Sequence, residues 1–351
     1  MKARQAITAT ILDVLNGERS IYGAFHLLKG KKSAQTIQDG AFFGLTSYFG
    51  LFPELTRTDL ETDVRELIAN GQAQLLEQDR IRLSENGKVE LKQYLDTHPF
   101  LNDLQGWRYH SYTDEVWLRL CLFIQTLTNI SFGNHRFYPI THEIRVQTWV
   151  RNHIPNENRR DYLNTIYDEL YDFLSSCLEQ QALIFVHQLS GKTQIGLTRL
   201  QLSERLGVSQ EEVKLCHIST IHRLINELET KHNRYTYLSA FTKDFKREYV
   251  LTESARQSFR LLEEGNTLDS ICQIRQLKKS TIEDHMVEIA IQHPHFPIRS
   301  FVSEDVEKSI LTWSETLQTS RLRDLKEKIE KEVSYFMIRL VLARKKVNDE
   351  T

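Results

Sequence analysis

Apolar residues recur along most of this chain at intervals of three and four, and strict alternation is rare. That spacing lines one face of a helix, so it predicts a mainly α protein. Residues 3–16 predict a first helix through Ala6, Ile7, Ala9, Leu12 and Val14, and residues 21–28 a second, broken by Gly30. Ser33 then reads as the N-cap of a third helix through Ile37 and Phe42, and Thr58 as the N-cap of a fourth carrying Leu60, Val64, Leu67 and Ile68. The period changes at Ile81-Arg82-Leu83, which follows Leu75-Leu76 and a polar turn at 77–80. That pattern predicts a short β-hairpin, with a further helix beginning at Ser84. Helices followed by such a wing predict an N-terminal winged-helix domain over residues 1–97.

Residues 98–110 form an irregular connector, and 98–250 read as a helical middle domain. Helices are expected at 115–128, 141–150 and, as one long element, 159–181. Tyr162, Tyr167, Tyr171 and Phe173 fall at helical spacing among Leu and Ile, and read as core rather than as a base-stacking platform. Residues 200–228 resemble the paired helices of sigma-factor-type domains, with Gly207 at the turn and Ser209 and Glu212 at capping-box spacing. A helical hairpin inside a bundle fits the same residues. Residues 231–250 set Tyr235, Tyr237, Phe241 and Phe245 among Lys and Arg, and read as a connector whose aromatics pack on both neighbours, with a short strand at Tyr249-Val250-Leu251.

Residues 251–351 carry the clearest motif. Ala255, Phe259 and Leu262 mark a helix ended by Gly265, and Thr267 caps a shorter one with Leu268, Ile271 and Cys272. Ser280 and Glu283, at capping-box spacing, open a third with Ile282, Met286, Ile289 and Ala290 on one side. Three short helices with a tight join between the last two make a helix-turn-helix pattern, which a merely packed helix pair also produces. Gln276 stands near the turn, where Gly is common; a residue with a Cβ costs about 1–2 kcal/mol there. Pro294 and Pro297 stop the third helix. Helices at 303–317 and 320–346 follow, the last with Leu325, Ile329, Val333, Phe336, Ile338 and Leu340 as its apolar side and a basic end at Arg344-Lys345-Lys346.

The chain has 351 residues and a formal charge of −2, which excludes a general basic coat, so DNA contact has to come from local patches. Lys278, Lys279, Ser280, Thr281 and His285 are the candidates for phosphate or groove contact at the motif. Glu283 and Asp284 suit a helix N-terminus but repel phosphate if they face it, which leaves a protein-docking surface as the alternative. Lys29, Lys31 and Lys32, with Gln35 on the helix they precede, form a second candidate phosphate contact or a solvated lysine loop. Cys121, Cys177, Cys216 and Cys272 form no C-x-x-C pair and read as reduced thiols. No signal peptide and no membrane span are expected. Gly191-Lys192-Thr193 lacks the upstream glycine of a phosphate-binding loop, since Val186 stands there, and His142-Glu143 lacks the second histidine of a zinc-protease helix. No catalytic residue, metal or cofactor is therefore expected.

The stretches Leu261-Leu262-Glu263-Glu264-Gly265, Arg275, Leu277-Lys278 and Ser280-Thr281-Ile282-Glu283-Asp284-His285 resemble the helicase-type helix-turn-helix domain found at the C-terminus of some RecQ-type helicases. Together with Leu27-Leu28-Lys29-Gly30-Lys31-Lys32-Ser33-Ala34-Gln35-Thr36-Ile37-Gln38-Asp39 and Ser334-Tyr335-Phe336-Met337-Ile338-Arg339-Leu340, they resemble the YpbB family of Gram-positive bacteria. The resemblance implies a cytoplasmic, nucleoid-associated protein that is not an enzyme. Its expected partners are DNA, a RecQ-type helicase encoded beside it and single-stranded DNA-binding protein, in repair, recombination or replication. A sequence-specific transcription regulator and an adaptor without DNA contact are the alternatives.

Overall fold

The computed structural model describes residues 1–245, 250–293, 295–317, 319 and 321–349, without the side chains of 345–349. The strand expected from Tyr249, the stop at Pro294, the helix start at Ser320 and the side chains of Lys345 and Lys346 lie outside the described residues. The protein is mainly helical. Helices α1 (Ala3–Leu15), α2 (Ile21–Lys29), α3 (Ala34–Phe42) and α4 (Arg57–Ala69) precede a hairpin of β1 (Ala73–Leu75) and β2 (Ile81–Leu83). Then come α5 (Glu85–Thr97), α6 (Gly106–Tyr109), α7 (Thr113–Ser131), α8 (Ile144–His153), α9 (Arg159–Ser175), α10 (Glu179–Gln188), α11 (Arg199–Leu206) and α12 (Gln210–Thr230). The C-terminal part holds α13 (Glu253–Glu263), α14 (Leu268–Arg275), α15 (Lys279–Gln292), α16 (Glu304–Leu317), α17 (Leu322–Lys328) and α18 (Tyr335–Asp349).

The expected hairpin forms, with Ala73 opposite Leu83 and Leu75 opposite Ile81, and Ser20 adds an isolated bridge to Arg80. Helices α7 and α8 are shifted by two or three residues from expectation, and three larger differences have local reasons. Thr56, not Thr58, caps α4: its hydroxyl accepts the Asp59 amide at 3.2 Å while Asp59 Oδ2 accepts the Thr56 amide at 2.9 Å. The long helix expected at 159–181 is two, because Leu178 is extended and its amide donates to Gln181 Oε1 at 3.2 Å, which starts a new helix. The helix expected at 320–346 is also two. Lys326 Nζ donates to the carbonyls of Glu330 and Lys331 at 3.3 and 2.9 Å and to that of Val333, folding the chain around its ammonium group. Ser334 Oγ then accepts the Met337 amide at 3.2 Å at the start of α18.

Packing divides the chain otherwise than the serial bounds at residues 97 and 250. One compact unit comprises Met1–Ala9, Asp63–Gln72 and Glu85–Lys246; the other comprises Thr10–Thr62, Ala73–Ser84 and Arg247–Thr351. The reason lies in which apolar faces meet: Ala41 and Phe42 of α3 belong to the same buried cluster as Ile282, Met286 and Ile289 of α15.

In the first unit, α12 is the central helix. Its Ile221, Leu224, Ile225 and Leu228 are buried with Phe123 of α7 and Phe173 of α9. Thus the segment that resembles a sigma-type motif acts as a core hairpin here. Gly207 takes the left-handed turn (φ 68°), and Ser209 caps α12, but the Glu212 carboxylate accepts from Gln180 Nε2 at 3.1 Å instead of returning to the cap. Tyr235, Leu238 and Phe241 join this same cluster, so the 231–245 connector belongs to the first unit's core. Tyr167 and Tyr171, expected inside, are each 64% exposed and stack on each other, while Phe173 is fully buried. The helical period was right, but the buried stripe is narrower than the aromatic content suggested.

Candidate nucleic-acid interface

The C-terminal motif is built on three helices of the second unit. Thr252 caps α13 by accepting the Ala255 amide at 3.2 Å, and Thr267 caps α14 by accepting the Ser270 amide at 3.2 Å. Gly265 takes φ 85° between them. The turn from α14 to α15 runs through Gln276 in the left-handed region (φ 53°, ψ 40°), and the Leu277 amide closes it onto the Cys272 carbonyl at 3.1 Å. This is the helix-ending arrangement normally given to Gly. Replacing Gln276 by Gly is expected to stabilise the second unit by about 0.5 kcal/mol, the relief of the Cβ penalty less the extra freedom of the unfolded chain. Urea unfolding midpoints check this; a loss of stability would mean that the Gln side chain contributes more than the turn costs.

The turn fixes where α15 begins. Lys278 is its N-cap, with no side-chain cap bond, so Ser280 lies inside the first turn and the expected capping box with Glu283 does not form. Lys278, Lys279 and Ser280 are exposed, and Thr281 is half-buried. Beyond them Ile282, His285, Met286, Val287, Glu288, Ile289 and Ala290 are all buried. α15 packs against α3, α13, α14 and α18, so solvent reaches little more than its first turn.

That burial corrects one expected contact. His285 is 7% exposed, and its Nδ1 lies 2.9 Å from Ser258 Oγ, which also accepts from Arg275 Nη1 at 2.6 Å. Burial, reinforced by the Arg275 charge, pushes its pKa down to about 4. His285 is a neutral core residue and cannot reach a groove.

The acidic pair resolves differently from the fear that it would repel phosphate. Arg339 of α18, half-buried, ion-pairs Asp284 through Nη1, and its Nη2 lies 3.9 Å from Glu283. Gln38 Nε2 adds a 3.4 Å bond to Asp284. Both carboxylates are engaged with an inward guanidinium. Among the described ion pairs, the lysines of this turn make one, Lys279 Nζ to Asp269 at 3.8 Å, so solvated that it is worth little.

The N-terminal candidates lie in a second left-handed turn, one residue longer and with its lysines before the cap rather than at it. α2 ends at Gly30 in the left-handed region (φ 74°, ψ 35°), and Ser33 caps α3 by accepting the Thr36 amide at 3.4 Å. Lys31, Lys32 and Gln35 are exposed. Lys29 is not free, because its Nζ donates to the Leu55 carbonyl at 3.1 Å and lies over the Phe25 ring.

Comparing the two turns reveals a correspondence that reading each stretch alone missed. Thr36-Ile37-Gln38-Asp39 and Thr281-Ile282-Glu283-Asp284 occupy the same third to sixth positions of α3 and α15. In both, the Ile is buried and the Asp is held by an arginine: Arg19 grips Asp39 through Nε and Nη2 at 3.0 and 2.8 Å, as Arg339 grips Asp284. The signal was already in the sequence as the repeated Thr-Ile-x-Asp after Lys-Lys.

Among the described residues no group of three His, Cys, Asp or Glu could hold a metal ion, and no helix is long and apolar enough to cross a membrane. The family model described as a helix-turn-helix domain matches residues 254–342. The chain is 30% identical over 339 residues to Protein YpbB of Bacillus subtilis (strain 168), covering 95% of this chain and 96% of that one. No solved structure matches.

Proposed function

This chain belongs to the YpbB family, and from that premise we propose that it is a non-catalytic accessory protein that lends DNA-backbone contacts to a RecQ-type helicase carried by a separate chain. The helix-turn-helix domain at its C-terminus supports association with DNA. In RecQ-type helicases a similar module shares the chain with the motor; here it would act in trans, in repair, recombination or replication, with single-stranded DNA-binding protein as a further partner and the nucleoid as its place of work.

One observation carries the DNA half of this reading. The first turn of α15 offers Lys278, Lys279 and Ser280 to solvent, while its two following carboxylates are turned to Arg339. Lysines at a helix start, with its free N–H groups beside them, suit a phosphate. A sequence-reading regulator needs a helix that lies along the major groove and presents several side chains to base edges. α15 is enclosed from Ile282 onward, which favours contact with the backbone over contact with bases. The protein-docking alternative would use the same exposed turn, and salt dependence separates the two.

The test is fluorescence anisotropy with duplex, forked and single-stranded DNA at low and moderate salt. K278E/K279E is expected to weaken binding about 10–100-fold and to flatten the salt dependence by roughly two ions, since each lysine–phosphate contact releases about one counterion. Wild type that binds none of the three DNAs at low salt would turn the reading to protein docking. Co-purification with the helicase, and unwinding with and without this protein, tests the partnership.

A further inference from the structure

We propose that α2–α3 is a second helix-turn-helix, outside the segment matched by the family model, and that its Lys31–Lys32 turn grips the same stretch of nucleic-acid backbone as the Lys278–Lys279 turn. The inference rests on the reading above and extends it from one contact to a two-point clamp.

Three observations carry it. The first is the shared construction: a left-handed residue ending one helix, and Thr-Ile-x-Asp at matched positions of the next helix, with the Asp fixed by an arginine; a lysine pair lies in each turn, just before the cap of α3 and at the cap and first residue of α15. A solvated lysine loop has no reason to repeat the buried Ile and the arginine-held Asp beneath it.

The second is how the pair packs. Gln38 of α3 bonds Asp284 of α15, and α3 packs on α15. The matched segments therefore meet near their middles. Lys32 stands six residues before Gln38 and Lys278 six before Asp284, which at 1.5 Å per residue sets each lysine turn roughly 9 Å along the chain from that contact. With the reach of a lysine side chain at each turn, the two can meet opposite sides of a groove about 12 Å wide.

The third is the charge left over. Glu288 is buried, Asp39, Glu283 and Asp284 are tied to arginines, and Asp269 is the single carboxylate paired with a lysine of either turn among the described ion pairs. Lys31 and Lys32 at one turn, and Lys278 and Lys279 at the other, are exposed.

The partner is thus a duplex, held by phosphates on the two sides of one groove. The experiment compares wild type, K31E/K32E, K278E/K279E and the fourfold variant on a 16-base-pair duplex, measuring stoichiometry and the slope of log affinity against log salt. Thermal melts confirm that each variant, altered at exposed positions, is folded. The clamp predicts one duplex per chain, a loss of about 10-fold or more from either pair, a slope smaller by about two for each, and by about four for both. Two duplexes per chain, with each reversal abolishing one and sparing the other, would break the clamp into separate sites. K31E/K32E that binds as wild type does, while K278E/K279E loses binding, would overturn the clamp and leave the function standing. Wild type that fails to bind at low salt would remove both.

Discussion

Lowering the pH from 7.5 to 5 is expected to destabilise both units through histidines whose pKa burial depresses, His222 and His217 in the first and His285 in the second. In the first unit His222 is 1% exposed; its Nδ1 accepts the Gln105 amide at 2.9 Å, and its Nε2 lies 3.1 Å from the Thr113 hydroxyl, which itself donates to the Tyr109 carbonyl at 2.8 Å. The neutral ring uses both nitrogens, one accepting and one donating. A proton on Nδ1 would set two N–H groups against each other. Burial, aided by nearby His110 and His217, pushes the His222 pKa down to about 3, and burial beside Arg275 pushes that of His285 to about 4. In the unfolded chain all three take a proton near pH 6.5. Between those values the unfolded chain binds more protons, so stability is intact above about pH 6.5 and falls as the pH drops through it. At pH 5 the loss is roughly 2 kcal/mol for each ring, at 1.36 kcal/mol per unit, against a usual total of about 5–15 kcal/mol. Half-buried Glu18 and Asp103 and buried Glu288 have raised pKa values and act in the opposite sense, which reduces the sum. Urea unfolding at pH 7.5, 6 and 5 reads the effect, and His285→Gln should remove the acid sensitivity of the second unit alone. Identical midpoints at pH 7.5 and 5 would mean that these rings titrate normally.

The second large effect concerns the C-terminal segment on its own. A fragment of residues 251–351 contains the whole helix-turn-helix match yet is expected not to fold stably at 25 °C. It loses α3, whose Ala41 and Phe42 lie in the cluster with Ile282, Met286 and Ile289, and whose Gln38 bonds Asp284. It also loses Gly17 and Glu18, whose carbonyl and carboxylate accept from Arg321 Nη2 at 2.9 Å and from the Thr319 hydroxyl at 3.1 Å. In the full chain, Phe42→Ala alone is expected to cost about 3 kcal/mol through lost burial and the cavity left behind. Removing the whole helix exposes several such positions at once. Far-ultraviolet circular dichroism and limited proteolysis of the fragment provide the check. A cooperative melt within a few degrees of the intact protein would contradict the prediction.

Much of the architecture was legible because helix periods and caps are local. Gly30, Ser33, Gly207, Thr267 and the 77–80 turn each gave a correct boundary; Leu325, Ile329, Val333, Phe336, Ile338 and Leu340 are all buried, though across two helices and the loop between them rather than along the single helix expected. Errors arose where a distant group decided the outcome. Lys326 breaks a helix by collecting carbonyls up to seven residues ahead, and periodicity contains no trace of that choice. His285 sits at a solvent-side position of an idealised helix-turn-helix, but Ser258 and Arg275 enclose it. Glu283 and Asp284 looked like an obstacle to phosphate because Arg339, some 55 positions later, could not be paired with them from spacing alone. The units, likewise, interleave because α3 supplies apolar cover to helices more than 200 residues away.

α15 packs against α3, α13, α14 and α18 of the second unit and also bears an outward lysine turn. A ligand held there is tethered to the centre of the core, and one that prefers the folded chain raises the melting point by mass action. Occupancy can therefore be followed as heat resistance, without a labelled oligonucleotide and before the preferred DNA shape is known. Acid and polyanion push the same helix in opposite directions, so a protein weakened at pH 5 is where such protection would be most visible.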